Sequence, residues 1–99
     1  MITDNFKYKI LKSIKDSIYC FSYNVDGEKK EKLPHNIELG EKTIKVDLLL
    51  DSSDYGIVDN VKLLDIDRSV LFEANSIYNK NNSMGVYIRF EIKDILEVS

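Results

Sequence analysis

The sequence has few of the residues from which covalent, metal and phosphate sites are built. It holds one cysteine, one histidine and one proline, and no tryptophan. A single cysteine excludes an internal disulfide, and one Cys with one His is too few for a zinc site of the usual spacing. The glycines are isolated turn residues, Gly27, Gly40, Gly56 and Gly85. A glycine-rich phosphate loop is therefore excluded as well.

Long apolar runs and a strong charge of one sign are also missing. The net charge is -3, with 43% hydrophobic and 31% charged residues, a composition typical of a globular chain. No apolar run approaches the roughly 18 residues of a membrane span. Residues 1–20 carry four lysines and no continuous apolar stretch, which predicts no signal peptide. We expect one domain over residues 1–99, a cytoplasmic location and no membrane partner.

The residue usage gives two further expectations. Isoleucine and lysine each occur 12 times, whereas alanine occurs once and arginine twice. This bias follows AT-rich codons and indicates an AT-rich bacterial or phage genome. Cys20 lies between Tyr19 and Phe21, which predicts a buried free thiol in a reducing compartment.

Alternation of apolar residues gives the clearest strands. It predicts strands at 43–50 and 86–92, while apolar and aromatic residues on both faces predict a central strand at 18–25. A short strand is expected at 61–66. Turn-forming residues predict turns or loops at 26–36, 51–54 and 79–85. Within the first of these, Asp26-Gly27 is a tight-turn signal.

Two segments fit either a helix or a strand. In residues 3–18, Phe6, Ile10 and Ile14 recur at helical spacing, yet apolar and lysine residues also alternate over 6–12. In residues 69–80 the apolar spacing is helical. We favour a strand at 6–12 and a helix at 69–80. The predicted fold is mainly β, a small barrel or curled antiparallel sheet of about six strands with one or two short helices. The alternative is an α+β fold with helices at 3–17 and 67–80.

Few residues are suited to catalysis or to binding a cation. A nucleophile needs an adjacent base, but His35 lies in a predicted loop and Cys20 in a predicted strand. We predict no enzyme activity and no catalytic residues. Between residues 51 and 62, an aspartate followed by a glycine at the sixth position is similar to a calcium loop, but Tyr55 and Lys62 occupy positions where oxygen ligands belong. We expect a solvated acidic turn, no metal and no cofactor.

The same turn carries one family resemblance. Asp51, Ser53 and Gly56 resemble the D-x-S-x-x-G element of PilZ domains, which follows a strand and helps to bind a cyclic dinucleotide. The resemblance covers six residues. The family's pair of arginines four apart is absent, since the only arginines are Arg68 and Arg89, and a guanidinium fork is what binds phosphate bidentately. A PilZ-like nucleotide binder is therefore the second alternative function.

Nucleic-acid binding is the first alternative. Residues 1–25 contain four lysines and two aspartates, with several aromatic residues among or after them. A small barrel with aromatic side chains on a basic face binds single strands. Residues 37–99 hold seven basic and twelve acidic side chains, and this excess of negative charge disfavours a phosphate ligand.

Because the sequence disfavours catalysis, metal binding and nucleic-acid binding, we expect a small intracellular protein-binding module, an inhibitor or immunity-type factor of a phage or mobile element. Six tyrosines supply side chains of a type enriched at interfaces. The partner is an unidentified protein, and strand edges also permit a homodimer. The expected contact residues are Tyr87, Arg89, Tyr55, Tyr8 and Tyr23. Tyr87 and Arg89 share the polar face of the last predicted strand, and Tyr55 lies in a turn.

Overall fold

The structure, a computed structural model, describes residues 2–81 and 85–93. Over these residues the chain forms one helix and eight strands in two antiparallel sheets. In chain order the elements are α1 (Asp4–Ser17), β1 (Cys20–Val25), β2 (Glu28–Lys32), β3 (Asn36–Leu39), β4 (Thr43–Leu50), β5 (Gly56–Leu64), β6 (Val70–Ala74), β7 (Tyr78–Lys80) and β8 (Val86–Lys93). The mainly β prediction is confirmed, with more strands than the six expected.

The first sheet has the order β2-β1-β5, and the free side of β5 is shared by two short strands. β6 pairs with the C-terminal half of β5, and β7 pairs with its N-terminal end. The second sheet has the order β3-β4-β8. The sheets curl around a common core, but over the described residues they do not close into a barrel.

The core lies between the two sheets and comes from the alternating faces of their strands. Every second residue of β4 is fully buried, namely Ile44, Val46, Leu48 and Leu50. They pack with side chains of β1 and β5 in one apolar cluster. Phe21 of β1 meets Phe90 of β8 edge to face, with ring centroids 5.4 Å apart. The strands predicted at 43–50 and 86–92 are therefore correct, because burial follows their alternation.

The strand predicted at 6–12 is wrong, because these residues belong to α1. The side-chain oxygen of Thr3 caps the helix by accepting a hydrogen bond from the Phe6 amide (3.2 Å). Leu11 is the buried position, and Ile14 packs beside it against the core. Phe6 and Tyr8, which suggested an alternating strand, are both exposed. Residues spaced three and four apart, such as Leu11 and Ile14, lie on the same face of a helix and can be buried together. In a strand, residues three apart point to opposite faces, so one of the two would have been exposed.

The helix predicted at 69–80 is also wrong, because these residues form β6 and β7. The preceding turn explains the difference. The carboxylate of Asp65 accepts hydrogen bonds from the amides of Asp67 (2.9 Å) and Ser69 (3.0 Å). Arg68 has a φ of 67°. The aspartate therefore closes a hairpin that returns the chain along β5, rather than capping a helix.

The predicted loop at 26–36 is only partly correct. Asp26 and Gly27 form the expected turn, with φ values of 50° and 82°, but residues 28–32 continue as strand β2. All five residues of β2 are charged, which is compatible with its position at a sheet edge. Of the strand expected at 61–66, residues 61–64 form the second half of β5, and residues 65–66 lie in the turn that follows it. Of the turn expected at 79–85, residues 82–84 lie outside the described residues and the first two belong to β7.

The Asp26 turn is fastened to the start of β5. Its carboxylate accepts a hydrogen bond from the Ile57 amide (2.9 Å), and its own amide donates to the Ile57 carbonyl (2.8 Å). Gly56 has a φ of 133°, and a Cβ atom at this position would collide with the Asp26 carboxylate. Only glycine fits both this conformation and this contact.

Candidate functional site on the outer face of the second sheet

The candidate site is a polar cleft on the outer face of the β3-β4-β8 sheet, the side turned away from the core. The cleft has a volume of about 410 Å³. It is lined by His35, Asn36, Asp47, Tyr87 and Arg89. The strand register brings them together, because Asp47 of β4 lies between Asn36 of β3 and Arg89 of β8.

Arg89 is held in one orientation by Asp47. Its Nε donates to one carboxylate oxygen of Asp47 (2.7 Å) and its Nη2 donates to the other (3.1 Å). The Arg89 hydrogen bonds hold the pKa of Asp47 below its ordinary value, although burial of the carboxylate opposes this. Asp47 is buried, while about half of the Arg89 side chain remains exposed (49%). The arginine thus keeps one end free for a ligand while the other is fixed.

His35 and Tyr87 form the second half of the cleft. The Tyr87 hydroxyl lies 3.4 Å from Nε2 of His35, and the ring centroids are 5.2 Å apart. The backbone amide of His35 donates to the Asp47 carbonyl (2.8 Å), which fixes this residue beside β4. Tyr87 stands opposite Leu49 in the register of β4 and β8. The two rings therefore support each other at an exposed position.

The structure separates the five expected contact residues. Tyr87 and Arg89 lie together in the cleft. Tyr55 (58% exposed) lies in the turn before β5, and Tyr8 (42%) on the surface of α1. Tyr23 is fully buried in β1, so its assignment as a contact residue is not compatible with the fold.

The hydroxyl of Tyr23 instead joins a partly buried group of polar and charged side chains that we call the lysine–aspartate network: Tyr23, Lys30, Lys32, Asp51 and Asp54. Asp54 is fully buried. It accepts hydrogen bonds from the Tyr23 hydroxyl (2.8 Å), Lys30 Nζ (3.2 Å), Lys32 Nζ (2.7 Å) and the Asp51 amide (3.0 Å). Lys32 also donates to Asp51 (2.7 Å).

Burial and the contacts within the network shift the pKa of Tyr23, Asp54 and Asp51. Burial raises the pKa of Tyr23, and the bond to Asp54 raises it further. Burial opposes ionisation of Asp54, but the donors around it, with Lys32 first, lower its pKa overall. The Lys32 and Ser53 hydrogen bonds lower the pKa of Asp51. The network thus places opposite charges beside one another around the buried Asp54 carboxylate.

The two aspartates of the network, Asp51 and Asp54, lie in the turn that is similar to a calcium loop and to the PilZ element. Asp51 also accepts hydrogen bonds from the Ser53 amide (2.8 Å) and hydroxyl (2.6 Å). Gly56 is in contact with Asp26. The carboxylate oxygens that a cation would need are therefore engaged within the chain. Across residues 2–81 and 85–93, no three His, Cys, Asp or Glu side chains come together as metal ligands.

Cys20 and His35, which we considered as a nucleophile and its base, have different neighbours. The Cys20 thiol is buried, lies 3.4 Å from a carboxylate oxygen of Glu31, and is 3.9 Å from a guanidinium nitrogen of Arg68. Burial, together with Glu31, raises the pKa of the thiol. An activated cysteine has a lowered pKa, so this environment does not favour nucleophilic chemistry.

Sequence patterns indicated only part of the cleft. Tyr87 and Arg89 were expected to be exposed because they alternate with buried residues. The sequence did not indicate that His35 and Asp47 line a binding surface. A signal for the cleft exists in the opposite charges of Asp47 and Arg89, but it requires the register of β4 and β8, which the sequence alone does not supply.

No known family model matches the chain, and no curated protein or solved structure is significantly similar to it. In the part of the chain that the structure describes, no helix is long and apolar enough to cross a membrane.

Proposed function

We propose that this protein is a protein-binding module whose contact surface is the cleft on the outer face of the β3-β4-β8 sheet. The observation that carries the proposal is that Tyr87 and Arg89 are both exposed and both held in place. Tyrosine and arginine are among the residues most enriched at binding hot spots. A partner that binds here meets side chains that already have a fixed orientation.

Fixed orientation matters because binding must overcome the conformational entropy of surface side chains. Immobilising a flexible side chain costs about 0.5–1.5 kcal/mol. Arg89 has lost most of this freedom in its two hydrogen bonds to Asp47. Tyr87 has few rotatable bonds and rests against the His35 ring. The cleft therefore resembles a preorganised hot spot more than an ordinary polar surface.

The charges of the outer face favour a protein over a nucleic acid. Lys45 of β4 lies between Glu38 of β3 and Glu91 of β8 in the strand register. One row further along, Asp47 pairs with Arg89. Each row carries both signs, so the face lacks the positive field that phosphate binding requires. Of the aromatic residues expected to stack with bases, Phe21 and Tyr23 are fully buried, whereas Tyr8 and Tyr19 are exposed.

The biological role that we propose is the one favoured by the sequence, a small intracellular inhibitor or immunity-type factor of a phage or mobile element. Its action is steric, through occupation of a surface of its partner, and requires no chemical step. The raised pKa of the Cys20 thiol and the internal engagement of Asp51 and Asp54 support a role without catalysis.

The test is site-specific photo-crosslinking with a benzophenone amino acid placed at position 87 or at position 55. Tyr87 and Tyr55 have nearly equal exposure, 59% and 58%, but only Tyr87 lines the cleft, so position 55 is a matched control. We expect one host protein to crosslink at position 87 and not at 55. Binding of that protein should be lost with Tyr87→Ala and kept with Tyr55→Ala.

Crosslinking at position 55 but not at 87 would place the partner elsewhere and refute this surface. Titration with single-stranded DNA at low salt tests the alternative. Because electrostatic binding is strongest at low ionic strength, strong salt-dependent binding there would favour a nucleic-acid ligand instead.

A further inference from the structure

The strand β8 has one edge paired with β4, and its other edge pairs with no strand among the described residues. It has eight residues, compared with four in β3 and five in β2 and β6. A long unpaired edge offers backbone donors and acceptors to another strand. β2, in contrast, is entirely charged, which is a common protection against such pairing.

Beside the free edge of β8 lies an apolar groove that separates it from β6. The groove has a volume of about 270 Å³, and its apolar lining consists of Phe72 and Ala74 of β6 and Phe90 and Ile92 of β8. The core-facing residues Ile88 and Phe90 are only partly buried, whereas the facing residues of β4 are completely buried. The open side of the core is therefore located at this edge.

We propose that β8 pairs with β8 of a second copy of this chain, antiparallel and centred on Phe90, to form a two-fold symmetric dimer. The sequence of the strand is self-complementary in this register. On the outer face Arg89 stands opposite the partner's Glu91, and the symmetry repeats this pair. On the inner face Ile88 stands opposite the partner's Ile92, and Phe90 stands opposite the partner's Phe90. Opposite charges and apolar residues facing each other both stabilise antiparallel pairs.

The two-fold symmetry explains why a second copy fits better than an unrelated peptide. An isologous contact requires one surface to complement itself. A register shift of two residues in either direction would break this match, because it pairs Arg89 with the partner's Arg89 or Glu91 with the partner's Glu91. The dimer joins the two β3-β4-β8 sheets into one continuous sheet and covers both apolar grooves. The dimer is inferred without reference to the proposed protein-binding function, although the two surfaces share Arg89.

The test compares Glu91→Lys with Glu38→Lys by sedimentation velocity. Glu91 and Glu38 flank Lys45 on opposite sides in the same row of the sheet. The two variants therefore change the net charge equally, and each removes one acidic neighbour of Lys45. Only Glu91→Lys alters the free edge of β8, where it replaces two Arg–Glu pairs by two repulsive contacts. We expect a wild-type dimer at concentrations up to about 100 μM, weakened about tenfold or more by Glu91→Lys and unchanged by Glu38→Lys.

A second measurement tests the register. Phe90→Cys should form an intermolecular disulfide under mild oxidation, because position 90 lies on the symmetry axis. Ile88→Cys, from the same face of the same strand, should not, because position 88 faces the partner's position 92. A wild-type chain that remains monomeric overturns the proposal. A dimer that Glu91→Lys leaves intact, or that both lysine variants weaken equally, also overturns it. Because position 87 lies opposite the partner's position 93 in this register, a crosslink from position 87 to a second copy supports the dimer, whereas a crosslink to a different protein supports the proposed function.

Discussion

Replacing Asp54 by asparagine removes the charge around which the lysine–aspartate network is organised. The side chain is fully buried and accepts four hydrogen bonds, two of them from lysine ammonium groups. Asparagine has nearly the same shape but is neutral, and its amide group carries donors where the network requires acceptors. We expect Asp54→Asn to fold into the same structure with a much lower free energy of unfolding.

The size of the effect follows from the exposure of the two lysines. Breaking a buried ion pair by removing one partner costs about 3–5 kcal/mol. The side chains of Lys30 and Lys32 are 27% and 26% exposed, so water compensates part of the loss. We therefore expect the lower end of the range, about 3 kcal/mol. For a domain of this size, this corresponds to a decrease in Tm of about 12–24 °C.

Urea unfolding monitored by circular dichroism would measure this loss, with two variants for comparison. Tyr23→Phe keeps the ring in the core and removes one donor of four, so its expected cost is smaller, about 1–2 kcal/mol. Asp54→Asn combined with Lys32→Met forms a double-mutant cycle, and a coupling energy of about 1–3 kcal/mol is expected for residues in direct contact. A loss below about 1 kcal/mol in Asp54→Asn would show that the buried charge is not what stabilises the turn.

Three further predictions concern pH, backbone conformation and the thiol. Asp47, Asp51 and Asp54 have lowered pKa values in the folded chain. Below about pH 4 the unfolded chain therefore takes up protons first, and the free energy of unfolding falls. The pKa of Tyr23 is raised, so above about pH 10 the unfolded chain loses this proton first and the free energy of unfolding falls again. Urea midpoints measured from acid to alkaline pH should show both losses, and a flat profile would contradict the assignments. Gly56→Ala should lower the free energy of unfolding by more than about 2 kcal/mol, since it combines a positive φ with a collision at Asp26; a Tm equal to that of the wild type would disprove the contact. Cys20 should react with a thiol reagent only as fast as the protein opens, because it is buried and its pKa is raised; rapid labelling under native conditions would refute its burial.

The fold class followed from the sequence because the strongest patterns belong to the core. The alternation in β4 and β8 has eight residues each, and the burial of every second residue leaves little ambiguity. The sequence predicted a strand where α1 lies and a helix where β6 and β7 lie, because both segments contain apolar residues at spacings that fit either structure. Local hydrogen bonds favour the observed structures: the Thr3 hydroxyl, just before α1, accepts one from the Phe6 amide, and the Asp65 carboxylate, before β6, accepts those of Asp67 and Ser69. Either residue type occurs before helices and in turns.

The candidate site was less accessible to sequence analysis, since it depends on contacts between distant residues. The exposure of Tyr87 followed from its position in an alternating strand, whereas the burial of Tyr23 depended on a partner 31 residues away, Asp54. Lys30 and Lys32 looked like part of a solvated loop. Their role became visible only when β2 was placed beside β1 and the two ammonium groups reached the turn before β5.

The unequal edges of the two sheets set a limit on how copies of this chain can associate. β2 ends one side of the first sheet with five charged residues, β6 and β7 end its other side with five and three residues, and β3 ends the second sheet with four. Each is therefore a poorer template for another chain than β8. A dimer contact through β8 covers the free edge of that strand, which at eight residues is the longest edge that the described residues leave open. Assembly of this kind stops at two chains, because a self-complementary contact leaves no second site for growth. The geometry thus opposes open-ended fibres, to which strand-rich proteins are prone.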